Sequence, residues 1–393
     1  MSDFAPSIPN DLIVDILVRL PAKSVGRFRC VSKPWRSLLS SFRFIRAHTD
    51  FHLLYDLDEK IVLSASRNSV HSPDSLHILT FFTNESERSS SIDGISKEVS
   101  FPLLHPNDQF VVVKGSCHGL VLLMNPDSYS ICLANPVTLE VVKIPDFCSP
   151  LDFDGISYGL GYDNTTDDYK VMALSYYRKR VTSDDSIAET FVNVYSTKSR
   201  AWRKLAISPF DHAELHGKHG VFVNGFIHWL ACEYKTKMAP FRNQRSVIAA
   251  FDLAREEFQK LPPPKSVEEH MFVVYKLTVL RGCLAMVTGL CDGVFEFWVM
   301  IDYGVQESWT KFSIIYPEDV PMLRSLKVVY VLSDSTEVVL TIESEKFAAY
   351  NLSNGVWRVM EFDGIPNSIG LEEVTFMESL ISPNHKSDDQ IEE

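Results

Sequence analysis

The sequence predicts a small all-α head of three to four short helices at residues 1–50, a large all-β repeat domain at 51–382, and an acidic tail at 383–393. Three observations carry that division. Hydrophobic periodicity changes near residue 50 from helical spacing to short runs rich in Val, Ile, Phe and Tyr. Net charge changes sign there, from +4 (eight basic and four acidic residues in 1–50) to −17 in the remainder of a chain carrying −13 overall. Beyond that point one hairpin pattern recurs five times.

In the head, Leu12, Ile13, Ile16, Leu17 and Leu20 fall on one helical stripe, with Asn10 placed to cap the helix and Pro21 to end it. A second helix runs from about Ala22 to Cys30. A third starts after Ser32, with Pro34 in its first turn and Trp35, Leu38 and Leu39 as its apolar face. Phe42, Phe44 and Ile45 predict one further turn. So few residues in short helices seldom bury enough surface to stand alone without metal, disulfide or partner. The head holds a single cysteine, Cys30, and a single histidine, His48. Its surplus of large apolar groups therefore asks for another surface, either an acidic partner or the body of the chain itself.

The body reads as short strands broken by Gly, Asn and Asp. No helix-period stretch separates them, which counts against a parallel α/β sheet. The repeat reads Ala134-Asn135 with Val141, Tyr195-Ser196 with Trp202, Phe251-Asp252 with Phe258, Ile301-Asp302 with Trp309 and Tyr350-Asn351 with Trp357. Successive starts lie 61, 56, 50 and 49 residues apart. A period near 50 with about four strands fits a kelch-like β-propeller, because stacking blades radially covers both faces of each sheet. Residues 51–113, with strands near Phe51-Tyr55, Lys60-Leu63 and His77-Phe82, join the late strand Glu373-Met377 into a further blade that closes the ring, giving about six. The chain has no Gly-Gly doublet and no Trp-Asp dipeptide, so neither a kelch nor a WD fingerprint is intact. Trp202, Trp309 and Trp357 read as blade packing. Thr83–Ser100 and the end of the chain from Ser382 read as unpacked.

Composition and motifs exclude most chemistry. A chain at −13 is a poor general phosphate binder, so nucleic acid is not expected as a partner. Seven cysteines without a CxxC pair argue against a disulfide framework or a cysteine zinc module, and no cofactor or metal is expected. The opening residues lack the pattern of a signal peptide, and no apolar run is long enough to cross a membrane. Gly115-Ser116-Cys117-His118-Gly119 reads as a turn before a core strand rather than a nucleophile loop. His212, His216 and His219 read as an exposed polar loop, since Glu214 sits at the wrong offset for a zinc helix. Gly159-Leu160-Gly161 lacks the third glycine of a dinucleotide site. Asp152, Asp154, Asp163, Asp167 and Asp168 read as solvated turns. One basic, aromatic-bearing loop on the acidic body, with Lys235, Lys237, Phe241, Arg242 and Arg245, is a candidate recognition site, and the loop Tyr177-Arg178-Lys179-Arg180 is a second.

The head residues Ile8-Pro9-Asn10-Asp11-Leu12 through Leu20-Pro21, then Lys23-Ser24-Val25, then Arg27-Phe28-Arg29-Cys30-Val31-Ser32-Lys33-Pro34-Trp35, resemble an F-box. Gly115–Leu120, Ala134-Asn135-Pro136, Tyr158–Tyr162 with Asp168–Val171, and Asn224–Trp229 resemble the plant F-box-associated interaction domain, with F-box/kelch-type and S-locus F-box proteins as similar families. The resemblance implies a non-catalytic substrate receptor of an SCF-type ubiquitin ligase in cytoplasm or nucleus. The F-box would dock on an acidic Skp-like adaptor and through it a cullin and a RING subunit. The β domain would hold an unknown protein substrate for ubiquitination and degradation; the alternative within the family is an S-locus pollen recognition factor. Carried over, the adaptor contacts are Pro9, Leu12, Ile16, Leu17, Leu20, Pro21, Val25, Phe28, Val31, Trp35 and Leu38. Gly26 departs from the apolar residue usual at its position.

Overall fold

The computed structural model describes residues 10–55, 59–65, 75–82, 92–102, 112–147, 153–180, 186–212, 219–233, 246–265, 267, 273–289, 295–314, 326–331, 337–342, 346–365 and 371–384. Four helices come first: α1 (Asn10–Leu17), α2 (Ala22–Phe28), α3 (Lys33–Ser40) and α4 (Phe42–Tyr55). Ser32 caps α3, its Oγ accepting from the Trp35 amide at 3.3 Å, and Pro34 takes the first turn where its missing N–H is no loss. Helix α4 is far longer than the single turn read from sequence, and it absorbs Phe51-Tyr55, which had read as a strand. Its inward face is made of His48, Thr49 and His52, buried polar residues that a search for apolar periodicity passes over.

Every strand that follows belongs to one of six sheets. The first holds β1 (Glu59–Ala65), β2 (Ser75–Phe81) and β3 (Gly94–Val99). The second is the meander β4 (Val112–Cys117), β5 (Leu120–Met124), β6 (Ile131–Asn135) and β7 (Glu140–Lys143). The third is β8 (Gly155–Asp163), β9 (Asp168–Arg180), β10 (Ser186–Ser196) and β11 (Ala201–Lys204). In the fourth, β12 (Phe210–Asp211) and β13 (Val221–Val223) share one edge of β14 (Phe226–Glu233), followed by β15 (Ser246–Asp252) and β16 (Glu257–Leu261). The fifth is β17 (Val273–Leu280), β18 (Cys283–Gly289), β19 (Phe295–Met300) and β20 (Trp309–Ile314). The sixth is β21 (Leu326–Val331), β22 (Glu337–Ile342), β23 (Lys346–Asn351) and β24 (Trp357–Val359). After the two-residue β25 (Phe362–Asp363) on the outer edge of the first sheet, β26 (Leu371–Met377) returns to pair antiparallel with β1, from Glu59 opposite Met377 to Ala65 opposite Leu371. Strands β26, β4, β8, β13, β17 and β21 lie each against the next around the axis. This is a six-bladed β-propeller closed by the two ends of the chain, as the late strand led us to expect.

The apolar runs follow from that geometry. In β5 all five residues are buried, Leu120, Leu122 and Met124 toward the third blade and Val121 and Leu123 toward the first. One apolar cluster lies between each neighbouring pair of blades, six in all among the described residues. Alternate side chains of one strand thus serve two cores, which a single sheet could not supply. The outer strands, by contrast, are short and charged (Lys143, Arg203, Lys204, Lys260), which blunts the edges.

The recurring hairpin is the turn between the last two strands of each blade. Ala134 faces Val141, Tyr195 faces Trp202, Phe251 faces Phe258 and Tyr350 faces Trp357. In the fifth blade Met300, not Ile301, faces Trp309, and the extra residue enters a 3₁₀ turn at Gln306–Ser308. Asn and Asp recur there because the side chain closes the turn. Asn135 Oδ1 accepts from the amides of Val137 (2.8 Å) and Thr138 (3.3 Å), Asp252 Oδ1 from Ala254 (2.9 Å) and Arg255 (3.1 Å), and Asn351 Oδ1 from Ser353 (2.9 Å) and Asn354 (3.2 Å). Trp202 and Trp309 pack as expected and also clip blades together. Their indole N–H groups donate to the carbonyls of Pro145 (2.6 Å) and Pro262 (3.0 Å), on the exit of the blade before.

Three further expectations need correction. Within Thr83–Ser100, read as unpacked, Gly94–Val99 forms β3. Asp163 and Asp168 are buried rather than solvated. Asp163 Oδ2 meets Lys170 Nζ at 2.9 Å, and that ammonium also donates to the Leu253 carbonyl (2.7 Å) and Glu256 (3.1 Å) of the next blade. Burial opposes ionisation of Asp163, but the hydrogen bonds from Thr165, Thr166 and Lys170 outweigh it and hold its pKa well below the usual carboxylate range. Asp168 takes Thr197 Oγ1 and the Lys198 amide. His212, finally, is buried with Ser208 Oγ 3.0 Å from its Nε2, whereas residues 213–218 lie outside the described ones.

Candidate functional site

The residues assigned to adaptor contact divide by burial into three groups. Leu12 (53% exposed) and Ile16 (56%) stand out from α1, Val31 (64%) stands out after α2, and Pro21 is exposed between them. Leu20, Phe28, Trp35 and Leu38 are half-buried, with the Phe28 and Trp35 rings edge to face at 5.7 Å. Leu17 and Val25, in contrast, are buried with Val18, Ala22, Leu39 and Phe44 in the head's own core. In this arrangement they pack the helices of the head against one another. Pro9 lies outside the described residues.

The propeller meets part of the head's demand for cover. Leu380 completes the head core, and Val137, from the Asn135 turn, packs against it. Leu380 is in place because the chain turns beneath the head after β26. Asn135 Nδ2 donates to the carbonyls of Ser379 (3.1 Å) and Ile381 (2.7 Å), and Ser379 Oγ donates to the His118 carbonyl at 2.8 Å. Beside it Glu378, 3% exposed, receives Lys23 of α2 at 2.8 Å and Lys60 of β1 at 2.6 Å. Burial alone would raise the Glu378 carboxyl; the two lysines outweigh it and its pKa is lowered. On the other side of the head, the Arg46 guanidinium lies 4.4 Å from the Tyr162 ring centroid, hydrogen-bonds the phenol oxygen, and meets Asp167 at 3.4 Å. Arg29 turns inward, donating to the Leu39 carbonyl at 2.9 and 3.2 Å.

Among the residues assigned to adaptor contact, the uncovered apolar ones are Leu12 and Ile16 on α1, together with Pro21 and Val31. Exposed cations flank them: Arg19, Lys23, Arg27, Lys33 and Arg36. An apolar centre with a cationic margin can bury against an acidic partner. Each large side chain so covered contributes up to about 1.5–3 kcal/mol, and the margin steers approach.

Beneath α4, at the head-side end of the axis, a cavity of about 270 Å³ is lined by His52, Ser116, Cys117, His118, Asn224 and Phe376 among others. Sequence spacing gave no sign of it, since its walls come from α4 and four blades. It holds the one Cys–His neighbour pair singled out above. His118 sits in the β4–β5 turn, at φ 50°. Burial pushes the Cys117 thiol up and pulls His118 down to about 3, the opposite of what a thiolate–imidazolium pair needs. The His118 ring instead packs on Tyr162, Tyr169 and Phe222. Among the described residues, no group of three His, Cys, Asp or Glu is arranged to hold a metal ion, and no helix is long and apolar enough to cross a membrane.

The two basic recognition candidates fare differently. Lys235, Lys237, Phe241, Arg242 and Arg245 lie outside the described residues. Tyr177–Arg180, read as a loop, continues β9 and pairs with Ser186–Glu189 of β10.

Comparison with known proteins extends over nearly the whole chain. A family model described as the F-box domain matches residues 6–47, and one described as the F-box associated beta propeller domain matches residues 66–382. The F-box/kelch-repeat protein At3g23880 of Arabidopsis thaliana is 30% identical, across 97% of this chain and 97% of that protein. The F-box protein CPR1 of the same plant is 27% identical, across 93% and 87%. Among solved structures, the nidogen/laminin complex aligns at 11% identity with a TM-score of 0.44, covering 82% of this chain and 99% of that one, too distant to bear on function.

Proposed function

The chain belongs to the F-box proteins that carry an F-box-associated β-propeller, and on that premise we propose that it is the substrate-receptor subunit of an SCF-type ubiquitin ligase. In this reading the head docks on an acidic Skp-like adaptor, which links it to a cullin and a RING subunit, and the propeller holds a protein substrate for ubiquitination and degradation. The observation that carries it is the exposure of Leu12, Ile16 and Val31, three large apolar residues within the F-box match.

The chain then makes and breaks no bonds. It raises the effective concentration of substrate lysines beside a charged conjugating enzyme, so its contribution is proximity and orientation. Docking of the head on the propeller supports this, because a fixed angle between the adaptor-facing surface and the blades narrows the volume in which a substrate lysine moves.

Co-expression with a Skp-like adaptor tests the reading. The wild-type chain should co-elute with it, and Leu12→Asp with Ile16→Asp should abolish co-elution while leaving the melting temperature within a few degrees, since both side chains are exposed. Co-elution unchanged in the double variant would sink the docking mechanism.

A further inference from the structure

We propose that the adaptor-docking face does not end with the F-box at residue 47 but continues along the last turns of α4, with Leu54 as an additional anchor. The inference rests on the docking reading above and names a contact outside the family match, which covers residues 6–47.

Leu12, Ile16 and Arg19 follow one another at i, i+4 and i+7, so they share a face, and all three are exposed. Arg19 is held in line by its own helix, with Nε donating to the Asp15 carbonyl at 3.0 Å. Its guanidinium carbon lies 5.5 Å from the centroid of the Phe51 ring on α4. Leu54 is one helical turn beyond Phe51 and is 76% exposed, the most exposed large apolar residue among those described. The opposite side of the same helix is packed: His48, Thr49 and His52 are all buried, His48 against the Leu20 carbonyl of the head and His52 over the axial cavity. One ridge therefore runs Leu12, Ile16, Arg19, Phe51, Leu54, apolar at both ends with a cation stacked on an aromatic in the middle.

A leucine left this open on a helix whose other face is packed is a poor choice for a surface that only meets water. Continuity with the Leu12–Ile16 face and the charge of Arg19 commit the ridge to one occupant, the acidic adaptor. That partner would bury Leu54 in an apolar recess and place a carboxylate opposite Arg19.

Affinity of the full-length chain for a recombinant Skp-like adaptor, measured by calorimetry, tests this. Leu54→Asp should weaken binding about tenfold with an unchanged melting temperature, while Val359→Asp, at an equally open position on the sixth blade (67% exposed), should not. Amide exchange at residues 51–55 should slow when the adaptor is added. Wild-type affinity for Leu54→Asp, with Leu12→Asp still disruptive, overturns the extension and leaves the docking reading standing. Absence of binding by the wild-type chain overturns both.

Discussion

Lys23 of the head and Glu378 of the chain's last strand-end segment form an ion pair of 2.8 Å, although 355 positions separate them. Lys60, at the start of β1, shares the same carboxylate oxygen at 2.6 Å. A single buried acid thus ties the helical head, the first blade and the segment that follows ring closure. Because Glu378 is only 3% exposed while the Lys23 side chain is 53% exposed, the energetic consequence of breaking the pair falls on the buried side. Lys60, 16% exposed, has no easy route to full hydration.

Glu378→Ala should accordingly destabilise the chain by about 2–4 kcal/mol, because it leaves the Lys60 ammonium without its counter-ion. Lys23→Ala should cost under about 1 kcal/mol, as an exposed partner is largely solvated already. Urea unfolding of the two variants checks the ranking, and equal losses would mean that the carboxylate acts through packing rather than charge.

Acid should loosen the head in two stages, with the sign set by the direction of each shift. Burial pulls His48 down to about 4, partly offset by the hydrogen bond from its Nε2 to the Leu20 carbonyl at 2.8 Å. The unfolded chain therefore takes up a proton near 6.5 that the folded chain refuses. The stability present above about pH 6.5 is lost as pH falls toward 4, by up to roughly 3 kcal/mol at a site this buried. Glu378, lowered from the ordinary range, contributes above about pH 4.3 and loses that contribution only at still lower pH. Melting temperatures between pH 8 and 3.5 should fall along both limbs. His48→Gln should remove only its share of the upper one, since His118, His212 and His228 are also held low by burial. Glu378→Gln should remove only its share of the lower limb, since Asp163 and Glu256 are also held low, and leave the upper.

These residues also show where sequence reasoning reaches its limit. The blades were legible because each hairpin needs the same local chemistry, a side-chain acceptor at Asn135, Asp252 or Asn351 and a bulky partner across the turn. Ring closure was legible because Glu373–Met377 reads as a strand with no neighbour of its own. Local patterns could not reveal which apolar residues of the head face the propeller. Leu12 and Leu17 occupy the same apolar stripe, yet one is 53% and the other 3% exposed, because Leu17 enters a core shared with α2, α3, α4 and the distant Leu380 while Leu12 does not. The Asp163–Lys170 pair escaped for a related reason. Thr165 and Thr166 support Asp163 locally, but Lys170 completes its contacts with Leu253 and Glu256, in the next blade.

Gly119 and Gly225 occupy matching turns and should respond very differently to alanine. Both have φ 81°, the left-handed region that costs a side chain roughly 1–2 kcal/mol. Around Gly225 an added Cβ would meet nothing, so Gly225→Ala should lose about that much. At Gly119 the Cβ would overlap the Ser379 side chain and crowd the Met377 carbonyl, in the segment that seats Leu380 under the head. Gly119→Ala should therefore cost at least about 3 kcal/mol and raise amide exchange in α2. Similar losses for the two variants would show that the 378–381 segment does not hold the head in place.

Gly26, in contrast, is a site where a larger residue should help. It lies inside α2, where glycine is about 1 kcal/mol less favourable than alanine, and an added Cβ would have no atom within 4 Å. Nothing in the structure therefore requires glycine there, and Gly26→Ala should raise stability by about 0.5–1 kcal/mol through helix propensity alone. Its effect on adaptor binding separates two roles. If α2 is already formed in the free chain, as the Lys23–Glu378 clamp and the buried Val25 imply, stability rises and affinity stays the same. A several-fold gain in affinity together with stability would instead mean that α2 orders on binding, so that the adaptor itself completes the head.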